Sequence, residues 1–441
     1  MQEKSCFWCR NFQSIIICII IGVSFFSIAL EFGKRLIPSE KGVDETQVVS
    51  ELDWSKEFPF PEQMESTDES IAAEEKNDIV QKYLDKVTAL KTALTNTKYY
   101  VWNYYHFIET AGFIDKITGI NLFDGNSKVV KLGNGRVDWY EGTPLSDEDA
   151  SEAADVLSEF SEFVTESGKD FVYVETPKGI CKYNPQLPVG ITDYANDNKD
   201  KFIRELNQKN IPVLDLRDAL HKDNLTHEEI FYKTDHHWNA EGGFWAATKV
   251  VDYLNSLPDK KYTIGNEYLK LDEYEEETLP NLFLGAEGRK VTRGYISPET
   301  FSLLIPEFDT SLSVSHPGEN VKKEGKFRDV IYDWDVLNDS SLYETSYYEA
   351  QLDGNQPLTI IHNNNLENGK SALLICDSFS LGMAPYLAME LEDVYLIDYR
   401  NVVGFNGSYR TFIEKYNPDI VMLTARPGVE ELYKFTDTGS K

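Results

Sequence analysis

The feature that most restricts the fold of this chain is a repeated alternation of short apolar runs with amphipathic helical segments. The apolar runs have the length and composition of buried strands. They are FVYVETP at 171–177, IPVLDL at 211–216, SALLIC at 371–376, VYLID at 394–398 and DIVMLTA at 419–425. Strands that alternate with helices predict an α/β domain with a parallel sheet covered by helices on both faces.

Helical segments are predicted between these runs, and one region interrupts the alternation. The helices are expected within 149–170, near 199–209, from Ala240 to about Leu254, and near 380–391 and 407–415. Residues 258–345 are rich in Gly, Pro, Asp and Tyr and contain only short apolar runs. We interpret them as an irregular insertion over one end of the sheet, within a single α/β domain that spans residues 76–441.

The N-terminal part of the chain has a different character. Residues 11–30 contain no charged side chain, and a helix of this length can cross the hydrocarbon core of a membrane. We predict a transmembrane anchor at 11–32 after a cytoplasmic tail at 1–10, while a cleaved signal peptide and a buried soluble helix are the alternatives. An acidic linker at 33–75 would then carry the domain outside the cell membrane, as in a single-pass protein with an extracellular domain.

Composition excludes some classes of partner. The formal net charge of −31 argues against nucleic-acid binding, because phosphate backbones are held by clustered Lys and Arg. Of five cysteines, only Cys181 and Cys376 follow the apolar N-terminal segment. They could pair, but two cysteines do not form a disulfide framework.

Two stretches carry the candidate chemistry. In LLICDSFSLG, Ser378 stands between a strand and a helix, where its hydroxyl can serve either as a nucleophile or as a helix cap. In TDHHWN, Asp235 and His237 are two residues apart, so an extended backbone projects both side chains from one face. Asp235 could then orient His237, and His237 could accept the proton of Ser378. His236 points the other way and is interpreted as structural.

A metal site is the weaker interpretation of the same stretch. Adjacent histidines diverge, whereas residues at i and i+2 of a strand converge. Asp235 and His237 could still chelate a metal with remote ligands, and a purely structural cap also remains open. The residues require no cofactor.

These stretches resemble a known family. TDHHWNAEGGFWAA, GKSALLICDSFSLGMAPYLA and VYLIDYRNV together resemble the DHHW family and, through it, the SGNH-hydrolase-like proteins that acetylate alginate. ETPKGICKY at 175–183 and LFLGAEGRKVTRGY at 282–295 add to the resemblance, which covers roughly residues 110–430. It implies a doubly wound, mainly parallel, flavodoxin-like three-layer sandwich, in which the Asp-x-His block precedes the serine.

By the same resemblance, Ser378, His237 and Asp235 would form a catalytic triad. Arg400 matches a position near the family's active site, with a salt bridge to Asp398 as the alternative, and Arg400, Tyr386 and Trp238 are the candidate substrate-binding residues. Packing is an alternative role for Trp238.

Two features depart from the family pattern. Cys376 replaces the glycine usual before Asp-Ser, and no separate oxyanion blocks are recognisable. Oxyanion donors are therefore expected among backbone N–H groups such as those of Ser378 or Phe379, with Asn363, Asn364 and Asn365 as further candidates.

The resulting hypothesis is a membrane-anchored extracytoplasmic O-acyltransferase that acetylates an exported or cell-wall polysaccharide through a serine acyl-enzyme. The resemblance implies a polytopic membrane-bound O-acyltransferase as the partner that supplies acyl groups. Because the chain is acidic, a local basic groove is expected at Arg400, Arg289 and Arg293. The alternatives are an SGNH-type carbohydrate esterase and a non-catalytic glycan-binding or scaffold subunit.

Overall fold

The computed structural model describes residues 129–424, apart from 189–190, 259–261, 292, 294, 340–341, 343–344, 368 and 401–408. The predicted tail, anchor and linker lie outside the described residues, as does the beginning of the predicted domain. Within the described part, no helix is both long enough and apolar enough to cross a membrane.

The described residues form strands and helices in alternation. The strands are β1 Val129–Lys131, β2 Val137–Trp139, β3 Asp170–Glu175, β4 Val213–Asp215, β5 Tyr274–Phe283, β6 Glu299–Pro306, β7 Leu312–His316, β8 Val321–Gly325, β9 Leu358–Asn363, β10 Ser371–Cys376, β11 Asp393–Asp398 and β12 Ile420–Leu423. The helices are α1 Asp147–Glu166, α2 Ala195–Gln208, α3 Leu216–Lys222, α4 His227–Ile230, α5 Ala240–Ser256, α6 Ala286–Val291, α7 Phe327–Ile331, α8 Trp334–Leu337, α9 Phe379–Leu387 and α10 Tyr409–Tyr416. The elements predicted on both sides of 258–345 are present, with some ends shifted by a few residues.

A central sheet of eight strands has the order β4-β3-β12-β10-β11-β9-β7-β8. The first five strands are parallel to one another. The last three are joined to the sheet by antiparallel pairings, so the sheet is mixed rather than mainly parallel.

The antiparallel extension corrects the predicted topology. Both β7 and β8 lie within 258–345, so this segment widens the sheet as well as forming the separate β5–β6 ribbon. In β7, buried and half-buried residues alternate. Antiparallel strands at a sheet edge tolerate one solvated face, and they therefore lack the continuous apolar run that identifies a parallel strand.

The order of the parallel strands explains why the histidine segment precedes the serine. The five parallel strands can be numbered from the serine-bearing strand β10, with β3 and β4 counted after β12. In this numbering their spatial order, β11-β10-β12-β3-β4, is 2-1-3-4-5. This is the flavodoxin-like order with its starting point moved along the chain. The loop after β4, which carries Asp235 and His237, therefore follows the last strand in this order, although it precedes Ser378 in the sequence.

Helices cover both faces of the parallel strands. On one face, α1, α2 and α10 bury residues such as Phe160, Phe202 and Ile413 against the sheet. On the other face, α5 and α9 bury residues such as Val250 and Met383. The predicted three-layer arrangement is present, and the carboxyl ends of β3, β4, β10 and β11 meet at one edge.

Candidate active site

Ser378 lies at the turn between β10 and α9, and its side chain does not cap the helix. Its backbone is helical, with φ −61° and ψ −19°, and its hydroxyl makes no capping hydrogen bond. Instead, Asp377 Oδ1 accepts a hydrogen bond from the Phe379 N–H at 3.0 Å. Because Asp377 does the local capping, the Ser378 hydroxyl is left for another partner.

That partner is His237, and the structure brings together the three residues predicted as a triad. The Ser378 hydroxyl lies 2.7 Å from His237 Nε2, and His237 Nδ1 lies 2.6 Å from Asp235 Oδ1. Asp235 Oδ1 also accepts the His237 backbone N–H at 3.0 Å, which holds the two side chains on one side of the segment. Since a carboxylate can only accept, Nδ1 carries the proton and the Nε2 lone pair faces the serine.

Asp235, His237 and Ser378 form a hydrogen-bonded relay, and burial sets its protonation. Asp235, His237 and Ser378 are 2%, 7% and 9% exposed. Burial alone would raise the pKa of Asp235, but the adjacent His237 and His236 hold this pKa well below its usual range. Burial lowers the pKa of His237, and the charge of His236 lowers it further, against the opposing effect of Asp235. His237 is therefore the neutral base that a serine requires near neutral pH.

The segment before His237 is fixed by residues of the interrupting region. Glu299 Oε1 on β6 accepts from both the backbone N–H and the hydroxyl of Thr234, at 2.6 Å each. The Gly285 N–H donates to Thr234 Oγ1 at 2.9 Å, and the Ala286 N–H donates to Asp235 Oδ2 at 2.7 Å. The residues between 258 and 345 thus hold the carboxylate in position rather than only covering the sheet.

The glycines that follow the histidines allow α5 to approach the serine helix closely. A Cβ on Gly243 would lie 2.2 Å from the carbonyl oxygen of Gly382 on α9. Only glycine permits this backbone approach, and the contact joins the helix that follows His237 to the helix that follows Ser378.

Tyr348 is a site residue that the sequence analysis missed. Its ring stacks on His237, with centroids 3.8 Å apart and an angle of 11° between the planes. Its hydroxyl donates to the carbonyl oxygen of Ser378 at 3.1 Å. Tyr348 is one of 25 tyrosines in the chain and belongs to no recognisable motif, so no local signal identifies it.

His236 pairs with an acid that was also missed. Its Nδ1 lies 3.0 Å from Glu287 Oε2 on α6. Asp235, His236 and His237 are close enough for their ligand atoms to share a metal ion. However, both nitrogens of His237 and Nδ1 of His236 already have hydrogen-bond partners, so the geometry favours a proton relay over a metal site.

The prediction that Trp238 and Tyr386 bind substrate is wrong, because neither side chain reaches the surface. Trp238 is 0% exposed and packs against the ring of Phe379 at 5.3 Å. Tyr386 is 1% exposed, and its hydroxyl donates to the carbonyl oxygen of Leu304 at 3.3 Å. Both side chains belong to the core beneath α9.

Arg400 occupies the carboxyl end of β11 and forms the salt bridge considered as its alternative role. Its Nε lies 2.9 Å from Asp398 Oδ1 and its Nη2 lies 2.6 Å from Asp398 Oδ2. The side chain is nevertheless 43% exposed, and its charge lowers the pKa of Asp377 against the raising effect of burial. Arg400 therefore adds positive charge beside the serine turn, while the basic groove with Arg289 and Arg293 stays a prediction.

Four of the expected oxyanion donors are used elsewhere or lie away from Ser378, namely Phe379 and Asn363 to Asn365. Asn363 pairs with the beginning of β11, where its backbone N–H donates to the Glu392 carbonyl oxygen at 2.8 Å, so Asn363 to Asn365 lie at the opposite end of the sheet from Ser378. The Phe379 N–H is occupied by Asp377. Within the described residues, the Ser378 N–H has no hydrogen-bond partner and remains the candidate donor.

Cys376, which replaces the expected glycine, is accommodated inside the core. It is 3% exposed, and burial raises the pKa of its thiol well above the usual value. Cys181 and Cys376 are both free, so the suggested pairing is not formed.

The fold is of the SGNH-hydrolase-like α/β type. Residues 139–284 match the family model of the SGNH hydrolase-like domain of acetyltransferase AlgX. Residues 218–397 match the model of the DHHW proteins, which confirms the resemblance noted in the sequence. The comparison with curated proteins found no match.

Solved structures share the fold. PatB1 of Bacillus cereus, in a structure with a sulfonyl adduct, is 20% identical with a TM-score of 0.55, and the match covers 70% of this chain and 96% of that one. A DHHW family protein from Eubacterium siraeum is 21% identical with a TM-score of 0.51, covering 69% of this chain and 93% of that one. At these identities the likeness shows the fold alone.

Proposed function

We propose that this protein is a serine O-acyltransferase that moves an acetyl group onto a hydroxyl of an exported or cell-wall polysaccharide. The observation that carries the proposal is the buried, continuous hydrogen-bonded relay from Asp235 through His237 to Ser378. The matched SGNH hydrolase-like domain of an acetyltransferase supports the choice of acyl chemistry.

The relay would act in two half-reactions. In the first, His237 Nε2 takes the Ser378 proton while the serine oxygen bonds to the donor's acyl carbon, and the donor's leaving group departs with a proton from His237. In the second, His237 removes a proton from a sugar hydroxyl, whose oxygen attacks the acyl-serine. The ester of the acceptor forms, and the proton returns to Ser378.

The backbone N–H of Ser378 would stabilise the negative oxygen of each tetrahedral intermediate. The nearby Arg400 guanidinium would add long-range positive charge. If water replaces the sugar hydroxyl, the same intermediate is hydrolysed, and the protein is an esterase.

The setting of the reaction is also part of the proposal. The uncharged N-terminal stretch would anchor the chain in the cell membrane with the α/β domain outside. A polytopic membrane-bound O-acyltransferase would deliver acyl groups from the other side of the membrane.

Intact-mass analysis of the purified full chain with an activated acetyl ester tests the proposal. Wild type should gain one acetyl group, Ser378→Ala should gain none at the site, and Ser313→Ala, on strand β7 in the antiparallel part of the sheet, should behave as wild type. Absence of an adduct from natively folded wild type would contradict the acyl-enzyme, and an adduct that survives Ser378→Ala would contradict the nucleophile.

The fate of the acetyl group separates transfer from hydrolysis. Acetylated protein mixed with short cell-wall oligosaccharides should lose its acetyl group to sugar hydroxyls faster than to water. If free acetate is the sole product at every acceptor concentration, the esterase is the correct function.

A further inference from the structure

His236 lies beside the relay without belonging to it. Its ring centroid is 3.9 Å from that of His237, although the two residues bond to different acids. His236 Nδ1 lies 3.0 Å from Glu287 Oε2 and 3.7 Å from Asp235 Oδ1. The side chain of Glu287 is 1% exposed and that of His236 is 26% exposed, so a buried acid holds a histidine that still reaches solvent.

The charges around His236 favour its protonated form. Besides Asp235 and Glu287, Asp138 on β2 acts on it, and Asp138 is buried with no hydrogen-bond partner for Oδ2 within the described residues. Buried Arg136 is a nearby cation that also interacts with Asp138 and Asp235. Buried carboxylates beside one arginine are costly without further positive charge, and burial raises the pKa of Asp138 to about 7, so its negative charge acts on His236 mainly above neutral pH.

The electrostatic balance at His236 follows from these neighbours. Burial alone would lower the pKa of His236, but the hydrogen bond to Glu287 and the charges of Asp235, Glu287 and Asp138 raise this pKa to about 9. Near neutral pH His236 is therefore an imidazolium.

That cation faces His237. A positive charge beside an imidazole opposes its protonation, and together with burial this lowers the pKa of His237, while Asp235 and Glu287 act in the opposite sense. Tyr348 covers His237 with an uncharged ring. Asp377, whose pKa burial raises, also lies in the field of His236.

We propose that Glu287 holds His236 as a cation, and that this cation keeps the adjacent His237 uncharged and ready to accept the proton of Ser378. His236 is thus a positioning residue that acts through His237. The inference rests on the proposed function, because it describes how the serine base is kept in its active form.

The charge of His236 can be measured without an activity assay. Diethyl pyrocarbonate acylates neutral imidazole nitrogen and spares imidazolium, so the modification of each histidine, followed by peptide mass mapping across pH, reports its protonation. In the wild-type full chain His236 should become reactive only toward pH 9, and in Glu287→Gln this midpoint should move down by at least one pH unit. His362, a half-exposed histidine bonded to Asp393 at the other end of the sheet, is the internal control and should not change.

The effect on His237 is measured as the pH dependence of serine modification. A sulfonyl fluoride reagent should label Ser378, with a rate that falls as His237 becomes protonated. Removing the charge in His236→Gln should raise the pKa of His237 and move this acidic limb upward by about one pH unit or more. Glu287→Gln should not move it upward, because a His236 whose pKa falls moderately from about 9 is still protonated where His237 titrates, and the opposing charge of Glu287 on His237 is lost. In the double variant the limb should lie between those of wild type and His236→Gln, because Glu287 also acts on His237 directly.

The results of these experiments distinguish the role of His236 from the proposed acyltransferase function. Unchanged His236 modification in Glu287→Gln, or an acidic limb that does not move in His236→Gln, overturns the role of His236 while leaving the serine chemistry intact. Natively folded wild type that forms no Ser378 adduct at any pH instead overturns the proposed function and the inference that rests on it. Circular dichroism and thermal unfolding establish that each variant is folded.

Discussion

The two ends of the central sheet each carry a hydrogen-bonded pair of a histidine and an aspartate, and they differ in their surroundings. At the carboxyl end His237 and Asp235 are 2.6 Å apart, with side chains 8% and 2% exposed. At the amino end His362 and Asp393 are 2.9 Å apart, with side chains 40% and 29% exposed. Only the first pair aligns with a serine.

This difference shows that a histidine–carboxylate contact is not by itself a site. Water competes for the exposed pair and weakens its electrostatic interaction. Burial removes that competition at the carboxyl end, and the serine hydroxyl then gives the neutral imidazole a proton to accept. The experiments below change one of these conditions at a time.

The largest difference is expected when the two histidines are replaced in turn. His237→Gln removes the base and should slow labelling of Ser378 by an activated acetyl ester at least about 1,000-fold. His362→Gln should leave the rate within about twofold. Stopped-flow or intact-mass kinetics at a single pH measures both, and equal losses in the two variants would contradict the distinction between the ends.

The orienting carboxylate should matter nearly as much. Asp235→Asn keeps the volume but offers an amide that can donate to Nδ1, which favours the wrong tautomer of His237, and we expect a loss of about 100- to 1,000-fold in the same assay. Asp393→Asn is the matched change at the amino end and should have no effect on labelling. A wild-type rate in Asp235→Asn would show that burial alone positions the ring.

The close approach of helices behind the relay should be tested by stability. In Gly243→Ala the added Cβ would meet the Gly382 backbone, which cannot rotate away, so the free energy of unfolding should fall by about 2–4 kcal/mol. A Cβ on Gly318, in the turn after β7, meets nothing within 4 Å, and Gly318→Ala should change stability by less than about 0.5 kcal/mol. Urea unfolding of both variants makes the comparison, and similar midpoints would contradict the tight packing at the site.

Tyr348→Phe should produce the smallest of these effects. The variant keeps the ring on His237 and loses the hydrogen bond to the Ser378 carbonyl, a contribution of about 1 kcal/mol, so labelling should slow about tenfold or less. Tyr348→Ala, which also removes the stacked ring, should lose more. If Tyr348→Phe matches Tyr348→Ala, the hydrogen bond to the Ser378 backbone rather than the ring stacked on His237 accounts for the effect of Tyr348.

The parts of the site that were predictable from sequence depend on short-range geometry. Two-residue spacing placed Asp235 and His237 on one side of an extended segment, and a strand followed by Asp-Ser and a helix placed Ser378 at a sheet edge. Tyr348 and Glu287 reach the site only through tertiary packing, so no spacing identifies them. Trp238 was a substrate-binding candidate with packing as the alternative, and the fold buries it.

The fold was predictable where apolar runs were continuous. Strands β3, β10, β11 and β12 are buried on both faces, and their sequences show it. The mixed character of β7 to β9 was not predictable, because a strand with one solvated face inside an irregular segment leaves a weak signal. Asn363 illustrates the consequence, since the direction of β9 carries it to the opposite end from where a parallel strand would.

The position of β12 has a consequence for how the protein is made. It is the last of the described strands to leave the ribosome, yet it pairs with β3 on one side and β10 on the other. A nascent chain that ends before residue 420 already contains His237 and Ser378 but lacks β12. Strands β3 and β10 then have no strand between them, and they lie about 10 Å apart in the final sheet. Synthesis thus delivers the strand that unites the two halves only after both reactive groups have been made.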